Sequence, residues 1–204
     1  MATPKALQGR FVRSGDTPAS NGNLANLITV IRILLAPVFF WLLFLDDGDL
    51  GIIRYLAAAL FVLAIATDSV DGILARRQNL VTDLGKILDP IADKLLTGGA
   101  LVCLSILGEL AWWVTAVILL RELGITLYRM AVLSDRVIPA SRGGKLKTIL
   151  QAVAIAFFLT PLWTVFGDWM HWVNGALMTA AVIATVLSGV DYLAKAIRHG
   201  RQAP

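Results

Sequence analysis

Four aspartates, Asp68, Asp71, Asp89 and Asp93, stand inside or at the ends of apolar stretches in the segment DSVDGILARRQNLVTDLGKILDPIAD. A carboxylate at bilayer depth is costly, so it usually faces a polar cavity and serves an ion or a substrate. On a helix, Asp68 and Asp71 lie three residues apart and Asp89 and Asp93 four apart, so two helices each present a carboxylate pair on one face. Two such anions ~5 Å apart at an effective dielectric of ~20 repel by roughly 3 kcal/mol. The cluster therefore predicts divalent metal, two Mg2+ or Mn2+ ions held by Asp68, Asp71, Asp89 and Asp93.

The rest of the segment specifies more than a metal cage. Gly72 and Ala75 are small residues beside the first pair, and Gly85 precedes Asp89 by one helical turn, which leaves room for a flat or bulky group near the backbone. Arg76, one turn beyond Gly72, can fork onto phosphate. Hard divalent ions beside an arginine and a glycine-lined gap describe a diphosphate site better than a bare ion site. Solvated carboxylates at a helix hairpin would account for Asp83 but poorly for Asp68 and Asp93.

The spacing D-x-x-D-G-x-x-A-R-x8-G-x-x-x-D-x-x-x-D resembles the signature of the CDP-alcohol phosphatidyltransferase family. Asp68, Asp71, Gly72, Ala75, Arg76, Gly85, Asp89 and Asp93 meet each of its fixed positions. The resemblance extends over nearly all of the chain. NLANLITVIRILLAP, LLRELGITLYR and RGGKLKT look like the branch that uses sn-glycerol 3-phosphate. It implies transfer of a phosphatidyl group from CDP-diacylglycerol to that acceptor with release of CMP, Asp93 acting as general base on the acceptor hydroxyl as well as ligating metal, and a homodimer. Thr29, Gly72, Ala75, Arg76 and Gly85 are then the candidate CDP-diacylglycerol residues.

Elements must carry these groups into a membrane. Of 204 residues 57% are hydrophobic and 16% charged, and the mean hydropathy is +0.74, a composition that excludes an ordinary soluble domain. Apolar runs near 27–45, 52–77, 83–107, 111–134, 146–166 and 170–193 approach or exceed the ~20 residues needed to cross a bilayer. The expected fold is all-α, with six transmembrane helices in one domain over residues 23–198, a polar segment at 1–22 that is irregular or interfacial, and a tail at 199–204. The first run follows a long polar stretch without a convincing cleavage site and reads as a retained span.

Lysine and arginine gather at the N-terminus, at the second and fourth connections and in the tail, which places both termini and the carboxylates in the cytoplasm. Asp46, Asp47, Asp49, Glu109 and Asp168 mark the opposite side, with Arg54 as an exception, and Trp41, Trp112, Trp113, Trp163, Trp169 and Trp172 collect near those ends as an aromatic belt. A bacterial inner membrane is the expected location. The formal charge of +4 is spread over loops without a nucleic-acid motif, so lipid headgroups and phosphate substrates explain it better than nucleic acid. Cys103 is a core residue that can form no intrachain disulfide.

A second polar group comprises Arg121, Arg142, Lys145 and Lys147, the last three around Gly143 and Gly144 at a helix entrance, and it is the candidate site for the acceptor phosphate. The plainer readings are an Arg121–Glu122 ion pair and ordinary loop charges. On the first helix Thr29 and Arg32 share a face that either closes the nucleotide pocket or, for Arg32, snorkels to the headgroups. Other acceptors remain open, among them inositol phosphate, phosphatidylglycerol and serine. A divalent-cation transporter is the alternative of a different class; it leaves Arg76 unexplained beside the metals.

Overall fold

A computed structural model describes residues 24–77, 83–132 and 142–200, and side chains over most of 28–67, 91–128 and 144–195. The expectations for residues 1–22 and 201–204 lie outside it. All elements of the described chain are helices: α1 (Leu24–Asp46), α2 (Ile52–Arg77), α3 (Asp83–Ile106), α4 (Trp112–Val132), α5 (Arg142–Leu159), α6 (Trp163–Phe166) and α7 (Trp169–Gly200).

Five of the six apolar runs become single helices, and the fifth breaks. The run at 146–166 is divided into α5 and the one-turn α6 by Thr160-Pro161-Leu162. Pro161 has no N–H and its ring excludes the carbonyl one turn back, so the helix stops before it. Thr160 closes the end by donating its hydroxyl to the Ala156 carbonyl at 2.9 Å. By length and apolarity two helices qualify as spans, Ile28–Asp46 and Trp169–Lys195, and two shorter apolar stretches lie at Ile52–Thr67 and Leu146–Leu159. The charges in α2, α3 and α4 interrupt apolarity where the candidate site lies.

α1 packs against both α2 and α3, α5 packs along α7, and α3 joins the halves through α4 and α5. The core is aliphatic and aromatic, built on Phe39, Leu43, Phe61, Leu96, Leu101, Leu104, Ile118, Ile155 and Leu159. Small residues let the helices approach: Ala57, Ala100, Ala154 and Ala181 are fully buried. A Cβ on Gly99 of α3 would lie 2.1 Å from the Phe40 ring of α1, so that crossing is set by the missing side chain. Outward faces carry Leu34, Leu63, Leu120 and Leu187, each more than 60% exposed. Apolar exposure on that scale marks a lipid-facing surface.

The turns at the end away from the carboxylates rest on residues at positive φ. Asp47, Gly48 and Leu50 take positive φ after α1. Gly108, also at positive φ, ends α3 in a Schellman arrangement, with Glu109 N–H bonded to the Leu104 carbonyl at 2.9 Å and Gly108 N–H to Ser105 at 3.2 Å. Arg54, the exception in the charge pattern, is explained by burial: it is fully inaccessible and joins three connections. Its Nε donates to the Leu159 carbonyl at 3.0 Å, freed where α5 stops, one Nη donates to Glu109, and the other lies 3.9 Å from Asp46. Burial pushes the Glu109 carboxyl above its ordinary pKa, and the Arg54 charge opposes that shift.

Candidate active site

Asp68, Asp71, Gly72, Ala75 and Arg76 occupy the last turns of α2, and Gly85, Asp89 and Asp93 the first turns of α3. Both stretches are helical, so each carboxylate pair lies on one helix face. α3 continues through Pro90 without interruption. The side chains of Asp68, Asp71, Ala75, Arg76 and Asp89, and the space around Gly72 and Gly85, lie outside the described set. Asp93 is half-buried, and its backbone carbonyl accepts from the Thr97 hydroxyl at 2.7 Å.

Thr29 and Arg32 of α1 are both buried, each 4% exposed. Arg32 Nε donates to the Ala64 carbonyl at 3.2 Å, one turn before Asp68. Its guanidinium is therefore turned into the bundle beside the carboxylate segment, and the snorkelling alternative does not hold. Arg32 bridges α1 to the turn that leads into the first carboxylate pair.

The second polar group is an array assembled from four helices. Glu122 of α4 receives Arg121 Nη1 at 2.8 Å on Oε1, Lys147 Nζ of α5 on the same oxygen, and Lys94 Nζ of α3 at 3.1 Å on Oε2. The second Nη of Arg121 donates to Ser188 Oγ of α7 at 3.0 Å, and Ser188 donates onward to the Thr185 carbonyl at 3.0 Å. Arg121 Nε is buried and has no hydrogen-bond partner among the described residues. Among the described residues three cations share this one carboxylate, an excess of two positive charges in a partly buried site. Of the four candidate acceptor-phosphate residues, Arg121 and Lys147 meet here on Glu122; the side chains of Arg142 and Lys145, in the first turn of α5, lie outside the described set.

Lys94 and Ser188 were missed. Lys94 had one available signal, a lysine directly after an intramembrane aspartate. Ser188 had none, because a serine in an apolar helix most often bonds its own backbone.

The family model for CDP-alcohol phosphatidyltransferase matches residues 22–187, a stretch that contains every carboxylate and every cation just described. The chain belongs to the CDP-alcohol phosphatidyltransferase family. Among relatives in the family, it is 49% identical over 176 residues to a protein of Mycobacterium tuberculosis (strain H37Rv) named probable phosphatidylglycerophosphate synthase, covering 86% of this chain and 82% of that one. It is 39% identical over 189 residues to the CDP-diacylglycerol–glycerol-3-phosphate 3-phosphatidyltransferase of Bacillus subtilis (strain 168), covering 85% and 94%. The Rickettsia typhi protein of the same name is 35% identical over 171 residues, covering 83% and 94%. Lys94, the α3 member of the array on Glu122, stands one residue beyond Asp93 on the same helix.

Proposed function

We propose that this enzyme transfers the phosphatidyl group of CDP-diacylglycerol to sn-glycerol 3-phosphate, forming phosphatidylglycerophosphate and CMP in phospholipid synthesis. The observation that carries the acceptor is the convergence of Arg121 and Lys147 on Glu122 with positive charge in excess, beside the helix that bears Asp93. An acceptor phosphate calls for such cations; serine and free glycerol do not.

Asp68, Asp71, Asp89 and Asp93 are four hard oxygen donors from two helices, the ligand chemistry of Mg2+ or Mn2+, and the half-buried Asp93 fits that role. A divalent pair held there supplies polarisation of the donor diphosphate and neutralises charge on departing CMP. Arg76 holds the diphosphate, Gly72 and Gly85 leave room for the nucleotide, Ala75 keeps α2 close, and Thr29 with Arg32 closes the side formed by α1. Asp93 accepts the proton of the acceptor hydroxyl as its oxygen bonds to the phosphatidyl phosphorus and the bond to CMP breaks. Arg121, Lys147 and, by their place in the first turn of α5, Arg142 and Lys145 bind the acceptor phosphate.

In this reading the six long helices span a bacterial inner membrane with both termini and the site in the cytoplasm, and the chain works as a homodimer. Support for a membrane interface at the end opposite the carboxylates comes from the exposed Trp41, Trp112, Trp113, Trp169 and Trp172, and support for the orientation from the lysines and arginines at the other end. The deciding experiment incubates the purified protein with CDP-diacylglycerol and, in parallel, glycerol 3-phosphate, inositol phosphate, glycerol, serine and phosphatidylglycerol, scoring CMP and lipid product with and without chelator. Glycerol 3-phosphate should be strongly preferred and chelator should abolish turnover. Equal use of glycerol and glycerol 3-phosphate would remove the phosphate site, and full activity in excess chelator would remove the metals.

A further inference from the structure

The array on Glu122 has a composition that a structural ion pair does not explain. A buried pair is balanced when one cation meets one anion, and each further charge costs several kcal/mol unless something neutralises it. Here Lys94, Arg121 and Lys147 stand against a single carboxylate, and Glu122 is the only acid among their described partners. The two ammonium groups and the guanidinium carry eleven N–H donors between them by their chemistry, far more than the Glu122 and Ser188 oxygens they reach. One of these donors, Arg121 Nε, is buried without a partner among the described residues. Lys94 and Arg121 keep 22% and 18% side-chain exposure, so the array is open to a ligand on their side, while Lys147 at 4% closes the other.

Its position ties it to the reaction. Lys94 follows Asp93 directly, with Cα atoms ~3.8 Å apart across one peptide. Arg121 is pinned from the α7 side, where Ser188 accepts from its Nη2 at 3.0 Å and the bare face of Gly189 lies against its Cγ; a Cβ there would sit 3.3 Å away. Three helices thus deliver one cation each, a fourth holds the arginine, and the carboxylate at the centre fixes all three.

We propose that Lys94 is a third cation of the acceptor-phosphate site, and that Glu122 is the positioning residue that holds Lys94, Arg121 and Lys147 as one array charged to take a phosphomonoester dianion. The proposal rests on the acceptor reading above and deepens it. An excess of two charges matches a phosphomonoester and exceeds what a phosphodiester such as phosphatidylglycerol brings. Because Lys94 and Asp93 are adjacent, the array also sets how far from the phosphate the reacting hydroxyl lies.

The two roles are separated by the sign of one effect. Glu122→Gln adds a unit of positive charge to the array. If Glu122 merely neutralised its neighbours, glycerol 3-phosphate would bind more tightly. As a positioning residue its loss lets the three cations move apart, and the KM for glycerol 3-phosphate should rise by about tenfold or more. Lys94→Met should raise that KM by about ten- to hundredfold, the loss of one charge-assisted bond, with the KM for CDP-diacylglycerol within about twofold of the parent. Lys94→Arg should restore most of the affinity. Calorimetric binding of glycerol 3-phosphate without donor, on the full-length protein in detergent, should follow the same order.

An unchanged or lowered acceptor KM in Glu122→Gln overturns the positioning role. Should that variant not insert, the two Lys94 variants decide alone, since Lys94→Met leaves Glu122 with two cations. An unchanged acceptor KM in Lys94→Met overturns the proposal. If Arg121→Ala still raises the KM in that case, the acceptor reading stands without Lys94; if Arg121→Ala and Lys147→Met are also silent, both fall.

Discussion

Replacing Arg54 by Met should destabilise the protein without touching its affinity for substrates. Arg54 is fully buried, and its guanidinium joins Glu109, Asp46 and the Leu159 carbonyl, thereby tying α2 to the ends of α1, α3 and α5. Breaking a buried ion pair by removing one partner costs about 3 to 5 kcal/mol. Glu109 retains 23% side-chain exposure, which favours the lower end, whereas Asp46 at 1% has little water to turn to. The lost bond to Leu159 adds about 1 kcal/mol. A total near 4 kcal/mol corresponds to about three decades in the unfolding equilibrium. The assay is denaturant titration in mixed micelles, followed by tryptophan fluorescence, on the parent, Arg54→Met and Arg54→Met with Glu109→Gln. The double variant should recover about half of the loss, because a neutral amide is cheaper to bury than an orphaned carboxylate. The KM for glycerol 3-phosphate should not move, since the pair lies at the end away from Asp93. A loss under about 1 kcal/mol, the scale of a solvent-exposed pair, would refute the reasoning.

The same network gives a pH dependence. Glu109 has a folded pKa above its unfolded one, so its contribution to stability is largest below the unfolded value and declines as pH rises through the folded one; Arg54→Met, lacking the opposing charge, should show a steeper decline between mildly acidic and neutral pH than the parent in the same titration. Gly99→Ala should cost about 1 to 3 kcal/mol, because its Cβ would fall 2.1 Å from Phe40 Cζ and the ring must swing aside, and thermal unfolding that matches the parent would refute a close α1–α3 crossing at Gly99. Asp93→Asn should slow the single-turnover chemical step more than it weakens CDP-diacylglycerol binding; normal turnover at saturating donor would leave Asp93 as a metal ligand only. Gly72→Leu or Gly85→Leu should weaken competitive inhibition by CMP, and unchanged inhibition in both would move the nucleotide elsewhere.

The carboxylate segment was legible in the sequence because its chemistry is local. Asp68 with Asp71, and Asp89 with Asp93, are brought to one face by helical periodicity alone, and Gly72, Arg76 and Gly85 follow in the same register. Local too is the backbone demand at Gly48 and Gly108, whose positive φ glycine meets without strain. The break at Pro161 was written in the sequence too, but a hydropathy run passes over one proline and so read 146–166 as continuous. What needed the tertiary structure was every relation between residues distant in the chain. Arg54 looked like a misplaced charge until Leu159, 105 residues away, lent it a carbonyl. Arg32 could have faced lipid headgroups or the bundle, and only the packing of α1 on α2 turned it toward Ala64. Lys94, Arg121, Lys147 and Ser188 come from four helices, and no periodicity within one helix shows that they meet at Glu122. Periodicity fixes the face on which a side chain stands; which face meets which depends on how side-chain volumes pack between helices, and that is decided only when the bundle closes.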